Sequence, residues 1–187
     1  ARGARDCAPH IPPPGWGESE PEGYGEAALA ATGAALDGAP EGGVLAVGIT
    51  NQRETAGLWD RHALAAPRRA IVWQDRRTSA ICERLESTGH GQRVTELTGL
   101  RLDPYFTGTK LTWLQENDPR AWAGVQSVQV AFVTVHSYHV ARMTSRSAHV
   151  TDATNPHPTL LVDLPAVGRF AGVADIIGAP VCPTSVC

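Results

Sequence analysis

Apolar and polar positions divide this chain into short elements joined by turns. The stretch 1–15 is rich in proline and arginine without periodicity, so it reads as an extended or disordered lead-in. Strong helix formers from Glu26 to Leu36 predict a helix over about Glu22–Leu36, ended by Asp37-Gly38-Ala39-Pro40. The apolar run Val44–Ile49, bounded by turn residues, predicts a strand buried on both faces that delivers Thr50–Glu54 at its carboxyl end. Further strands are predicted at Gly57–Asp60 and Ala70–Trp73, with Arg61–Arg69 as the hairpin connection. Ala80, Ile81 and Leu85 recur at helical spacing within Arg77–Ser87, where Thr78 or Ser79 is placed to cap the first turn. A helical turn at Val94–Leu97 and a helix at Gly108–Glu116, closed by Asn117-Asp118-Pro119, come next. Val128–Val133 reads as a strand and Thr134–Met143 as a helix, while prolines after Thr144 favour loops. Strands and helices interleave with a hairpin, which predicts an α/β domain with a mixed sheet and helices packed on it.

Composition narrows the class. At 187 residues, 42% of them hydrophobic, the chain is long enough for one well-buried core. A net charge of −3 with dispersed lysines and arginines gives no electrostatic footprint for nucleic acid or an anionic membrane, and no apolar stretch approaches a spanning length. Cys7, Cys82, Cys182 and Cys187 form no Cys-x-x-Cys pair, which favours free thiols in a reduced, cytoplasmic setting.

Three polar clusters follow the predicted strands or lead into a helix. Thr50-Asn51-Gln52-Arg53-Glu54-Thr55 lies where open α/β sheets bind ligands, outside the carboxyl end of a strand. Arg53 and Glu54, as neighbours on a strand, face opposite ways and converge on one ligand only if the backbone turns there. Trp73-Gln74-Asp75-Arg76-Arg77-Thr78 offers an aromatic face for a polyol's C–H groups beside hydrogen-bonding side chains. Leu102–Lys110 carries Tyr105, a hydroxyl on a rigid apolar body, in a turn before a helix. Taken singly, each cluster has a plainer structural reading: a solvated Arg53–Glu54 pair, a core Trp73 before a helix start stabilised by Asp75, and a packing loop capped by Thr107 or Thr109. His136, His139 and His157 lack a fourth ligand at zinc spacing and read as ordinary histidines rather than a metal site. No Gly-x-x-x-x-Gly-Lys-Ser/Thr loop or Gly-x-Ser-x-Gly elbow occurs.

In combination the blocks are more specific. GITNQRET (Gly48–Thr55), AIVWQDRRT (Ala70–Thr78), TGLRLDPYFTGTKLTWL (Thr98–Leu114) and HVTDATN (His149–Asn155) resemble the glycerol-phosphorylating branch of the FGGY carbohydrate kinases, in order and at matching separations. The resemblance covers roughly residues 12–164, giving a partial N-terminal kinase domain over 16–164 and an unassigned tail at 165–187. It implies an actin-like, ribonuclease H-like ATPase fold. It also implies that Arg53 and Glu54 hydrogen-bond glycerol hydroxyls, that Trp73 lies against the glycerol carbons and that Tyr105 contacts a hydroxyl.

The resemblance further implies ATP and Mg2+ as cofactors of the full-length family, with ATP bound across a cleft by a second domain, and it leaves a homo-oligomer of the full-length form open. The resemblance places the Asp-x-Gly-Thr phosphate hairpin and the catalytic aspartate outside this chain, so that it is expected to be a truncated piece, inactive and unable to hold ATP alone. Val133–His139 and Asn155–Thr159 depart from the family pattern. Two alternatives stay open: another FGGY sugar kinase, or a non-catalytic fragment that binds a polyol or a partner.

Overall fold

The computed structural model describes residues 2–40, 42–146, 148–151, 154–155, 159–162 and 171–178. Its centre is the strand β2 (Ala56–Asp60), buried at every position from Ala56 to Trp59. β2 pairs antiparallel with β4 (Val130–Thr134) from Ala56↔Thr134 to Asp60↔Val130, and with β3 (Ala70–Ile71) at Ala56↔Ile71. The two-residue β1 (Glu18–Ser19) adds to β3, giving a four-stranded sheet in the order β1-β3-β2-β4. Every pairing is antiparallel, so the expected mixed character is not seen among the described residues.

That difference traces to one segment. Val44–Ile49 forms no strand, and Leu45 is 97% exposed where burial on both faces was expected. An apolar run supplies the propensity for a strand, whereas the ladder that satisfies its N–H and C=O groups comes from a neighbour the run itself does not encode. β1 was not expected for the converse reason: two residues carry no period, and it is their pairing with β3, Glu18↔Ile71 and Ser19↔Ala70, that makes the strand.

Helices cover the sheet. α1 (Pro21–Leu36) has Pro at its first turn and buries only Pro21 and Gly25, the latter against Arg142 of α6 (Val135–Met143). α2 (Ser79–Ser87) buries Ile81, Cys82 and Leu85, and α3 (His90–Thr98) ends on left-handed Gly99. After α4 (Thr107–Asn117), Pro119 is a start as well as a stop: Asp118 accepts from Ala121 N at 3.0 Å and caps α5 (Pro119–Gln126), which buries Trp122 and Val125. The expectation of loops and at most short extended pieces after Thr144 also fails at α7 (Ala171–Ile177), whose last carbonyl accepts from Thr112 Oγ1 at 2.9 Å. One core joins these layers, with Leu58, Trp59, Phe132, Leu111, Val173 and Ile177 all buried.

The α4–α7 contact is tight. A Cβ on Gly108 would lie 2.7 Å from Ile177 Cδ1 and 3.0 Å from the Thr159 carbonyl oxygen. Gly108→Ala is therefore expected to destabilise the chain by about 1–3 kcal/mol in urea unfolding, despite the better helix propensity of alanine.

Candidate functional site

The backbone does turn at Arg53–Glu54. Glu54 has φ 65°, in the left-handed region, and Thr55 N donates to Gln52 O at 3.3 Å. That conformation costs a residue with a Cβ about 1–2 kcal/mol, so it persists only where neighbours hold it. Its effect is to separate two adjacent side chains: Arg53 stays exposed, while Glu54 turns inward until it is 0% exposed.

The Glu54 carboxylate meets the start of α4. Its Oε2 accepts from Thr107 N at 2.7 Å and from Thr107 Oγ1 at 2.9 Å. This combines a hydroxyl with a helix-terminal N–H, both suited to an anion. Its other oxygen, Oε1, is buried and has no hydrogen-bond donor among the described residues. Burial pushes the carboxyl up to about 7, against the Thr107 bonds and the charges of Lys110 and Arg53 that pull it down.

The other two clusters converge on the same turn. Thr55 Oγ1 accepts from Trp73 N at 3.3 Å, which ties the strand end after β3 to the Glu54 turn. Trp73 is 40% exposed, and its ring meets that of Tyr105 edge-on, with centroids 6.1 Å apart. Tyr105 is half-buried, and its phenol is raised by burial first and by the Glu54 charge second. Arg53 is close enough to lower both Glu54 and Tyr105, so these three share one electrostatic neighbourhood, and Trp73 joins them through its ring contact with Tyr105.

Lys110 closes the arrangement from below. It is 0% exposed, and its Nζ donates to Glu54 O at 2.7 Å and Tyr105 O at 2.6 Å. Burial pulls the ammonium down to about 8, opposed by Glu54, Asp75 and Asp103 and reinforced by Arg77. Thr107 and Lys110 were missed as site residues. The available signal was a lysine four residues before Leu114 and next to Leu111, on the face those leucines assign to the core.

Asp75 and Arg77 do something other than face a ligand. Asp75 is 1% exposed and pairs with the fully buried Arg77 guanidinium at 2.8 Å, so it belongs to the scaffold under Trp73. Thr78, at the N-cap of α2, makes no cap bond and instead accepts from Thr109 Oγ1 at 2.9 Å. His136 and His139 lie on α6, His157 and Cys182 and Cys187 fall outside the described residues, and no group of three or more metal-ligating side chains occurs among the described residues.

The chain has clear relatives. Residues 1–176 match the N-terminal domain of the FGGY family of carbohydrate kinases. A glycerol kinase of Methylobacterium nodulans is 50% identical over 157 residues, covering 83% of this chain and 31% of that protein. One from Rhodopseudomonas palustris strain BisA53 is 47% identical over 162 residues, covering 86% and 32%. Among solved structures, Plasmodium falciparum glycerol kinase with ADP superposes with a TM-score of 0.86 at 23% identity, over 94% of this chain and 35% of that one. A ligand-bound xylulose kinase from Lactobacillus acidophilus does so at 0.82 and 18%, over 95% and 35%. The shared fold is the α/β actin-like, ribonuclease H-like one, and the chain spans about a third of the length of the curated relatives it matches. On the extent of the family match and on these identities, the chain belongs to the FGGY family of carbohydrate kinases, within its N-terminal domain.

Proposed function

We propose that this chain is the polyol-holding part of an enzyme that transfers the γ-phosphoryl group of ATP to glycerol, giving glycerol 3-phosphate and ADP. The observation that carries this reading is the Glu54 carboxylate, buried with one oxygen held by Thr107 and the other lacking a donor among the described residues. A buried acceptor without a partner is costly, and a ligand hydroxyl is the donor that would relieve it. In this reading Arg53 donates to a second hydroxyl, Tyr105 contacts a third and the exposed Trp73 face covers the carbon chain.

Transfer breaks the bond between the γ-phosphorus and the bridging oxygen while a glycerol oxygen bonds to that phosphorus and loses its proton. The Arg53–Glu54–Trp73–Tyr105 group orients the hydroxyl for this step, and orientation is a large share of what catalysis of phosphoryl transfer requires. By itself the chain is proposed to bind glycerol without turning it over. A cytoplasmic place of action belongs to the same proposal; no helix among the described residues is long and apolar enough to cross a membrane.

The test is a titration of the 187-residue chain with glycerol, read from the Thr107 amide and the Trp73 indole by NMR. Saturable shifts at both, weaker with xylulose, are expected. No shift, or a preference for xylulose, would overturn the glycerol reading. With ATP, Mg2+ and glycerol present together, the chain alone is expected to form no glycerol 3-phosphate.

A further inference from the structure

Lys110 is an ion inside the protein with no carboxylate in salt-bridge contact among the described residues. A buried ammonium in that position is expensive to keep unless strong acceptors surround it. The two acceptors present are main-chain carbonyls, and their identity is informative: one belongs to Glu54, the other to Tyr105. These residues come from turns far apart in sequence, and each carries a side chain of the polyol site. A core position between Thr107 and Leu114 needs only an apolar side chain to pack, so packing does not account for a charge there.

The side chain of Glu54 reaches the Tyr105 segment through its Thr107 bonds at 2.7 and 2.9 Å, but no such bond ties the two main chains, whose other devices are local. Glu54 sits at φ 65°, a conformation its own backbone disfavours. The Tyr105 turn is organised locally by Asp103, whose Oδ1 accepts from Tyr105 N at 2.8 Å and whose carbonyl accepts from Phe106 N at 3.2 Å. Neither local device reaches the other turn. The Lys110 ammonium does, and as a compact point charge it takes both carbonyls at 2.6–2.7 Å.

We propose that Lys110 is a positioning residue of the polyol site, whose ammonium bridges the Glu54 and Tyr105 carbonyls and so sets the distance between the carboxylate and the phenol. This rests on the polyol reading given above. The bridge acts on ligand affinity through geometry, since the ammonium is enclosed and both of its observed partners are protein atoms.

The experiment uses the full chain and its Lys110→Met variant, which keeps length and volume but has no donor. Glycerol affinity is expected to fall at least tenfold. Exchange of the Thr107 amide proton should quicken at least tenfold as the carboxylate leaves it. Gly124→Ala serves as a control destabilised elsewhere, because its Cβ would lie 2.7 Å from Val130 Cγ2; it should change neither reading. A Lys110→Met chain within twofold of wild type in both would overturn the proposal.

Should that variant not fold, the unmodified chain decides. Hydrogen-bond couplings from Lys110 Nζ to the Glu54 and Tyr105 carbonyl carbons must be seen, and the Nζ resonance must move when glycerol saturates; a resonance that stays put overturns the bridge. Glycerol that moves nothing in the wild-type chain sinks the polyol reading, and Thr107 exchange in Lys110→Met then still judges the bridge.

Discussion

Glu54→Gln is expected to weaken glycerol binding about 10- to 100-fold while leaving the chain at least as stable as wild type above neutral pH. The first effect follows from the value of a hydrogen bond to a charged acceptor, about 1.5–3 kcal/mol, when the charge is removed and the shape kept. The second follows from burial. Glutamine retains an oxygen for the Thr107 N–H while discarding a charge that the interior disfavours, as the displacement of the Glu54 carboxyl to about 7 records. Its folded-state pKa lies above the unfolded value of 4.5, so the stability associated with its proton is fully present below 4.5 and is lost as pH rises through 7.

Glutamine has no such step, so the stability difference between variant and wild type should widen in the variant's favour over that window. It should reach about 1–3 kcal/mol. Glycerol affinity of the wild type moves the opposite way, falling as pH drops below 7 and the acceptor is protonated, whereas Glu54→Gln should be flat. Urea unfolding and glycerol titration across this pH range check both halves. A variant that binds as well as wild type would remove the carboxylate from the site.

A residue that is less stable as found than as replaced is what ligand binding, rather than folding, would keep. The same contrast separates what the sequence made legible from what it did not. Arg53, Glu54, Trp73 and Tyr105 are singled out by the family resemblance of the blocks that hold them, not by any local feature taken alone, and in the structure Trp73 meets Tyr105 while Glu54 and Arg53 lie within electrostatic reach of Tyr105. That Arg53 and Glu54 part ways, one to solvent and one to the interior, depends on a left-handed residue held by Lys110, 56 positions away. Nothing local encodes such a contact. Val44–Ile49 failed as a strand and β1 went unseen for a related reason, because a strand needs a partner as much as a pattern. α5 was hidden by reading Pro119 only as a terminator, although proline after a capping Asp118 is equally a beginning.

Arg77→Met is expected to lower stability by about 3–5 kcal/mol, the cost of breaking a buried ion pair from one side. The Arg77 guanidinium is 0% exposed, lies 4.0 Å from the Trp16 ring centroid and 4.8 Å from that of Trp113, and donates to Asp75 and Glu18. Asp75 in turn accepts from Gly17 N at 2.6 Å. This one arginine thus anchors the 16–19 segment, and with it β1, to the loop that carries Trp73. Methionine fills the slot between the rings but leaves the Asp75 carboxylate buried with only main-chain donors. A loss of that size is a large part of the 5–15 kcal/mol typical of a whole domain, so the urea midpoint should drop steeply. Asp75→Ala should cost a similar amount, since it leaves the guanidinium with Glu18 as its one remaining acidic partner among the described residues and frees Gly17 N together. Because both changes dismantle one network, the double variant should cost clearly less than the sum of the two, by about 0.5–3 kcal/mol. Strict additivity in that cycle would show that Arg77 and Asp75 stabilise the chain independently, and the clamp beneath Trp73 would have to be abandoned.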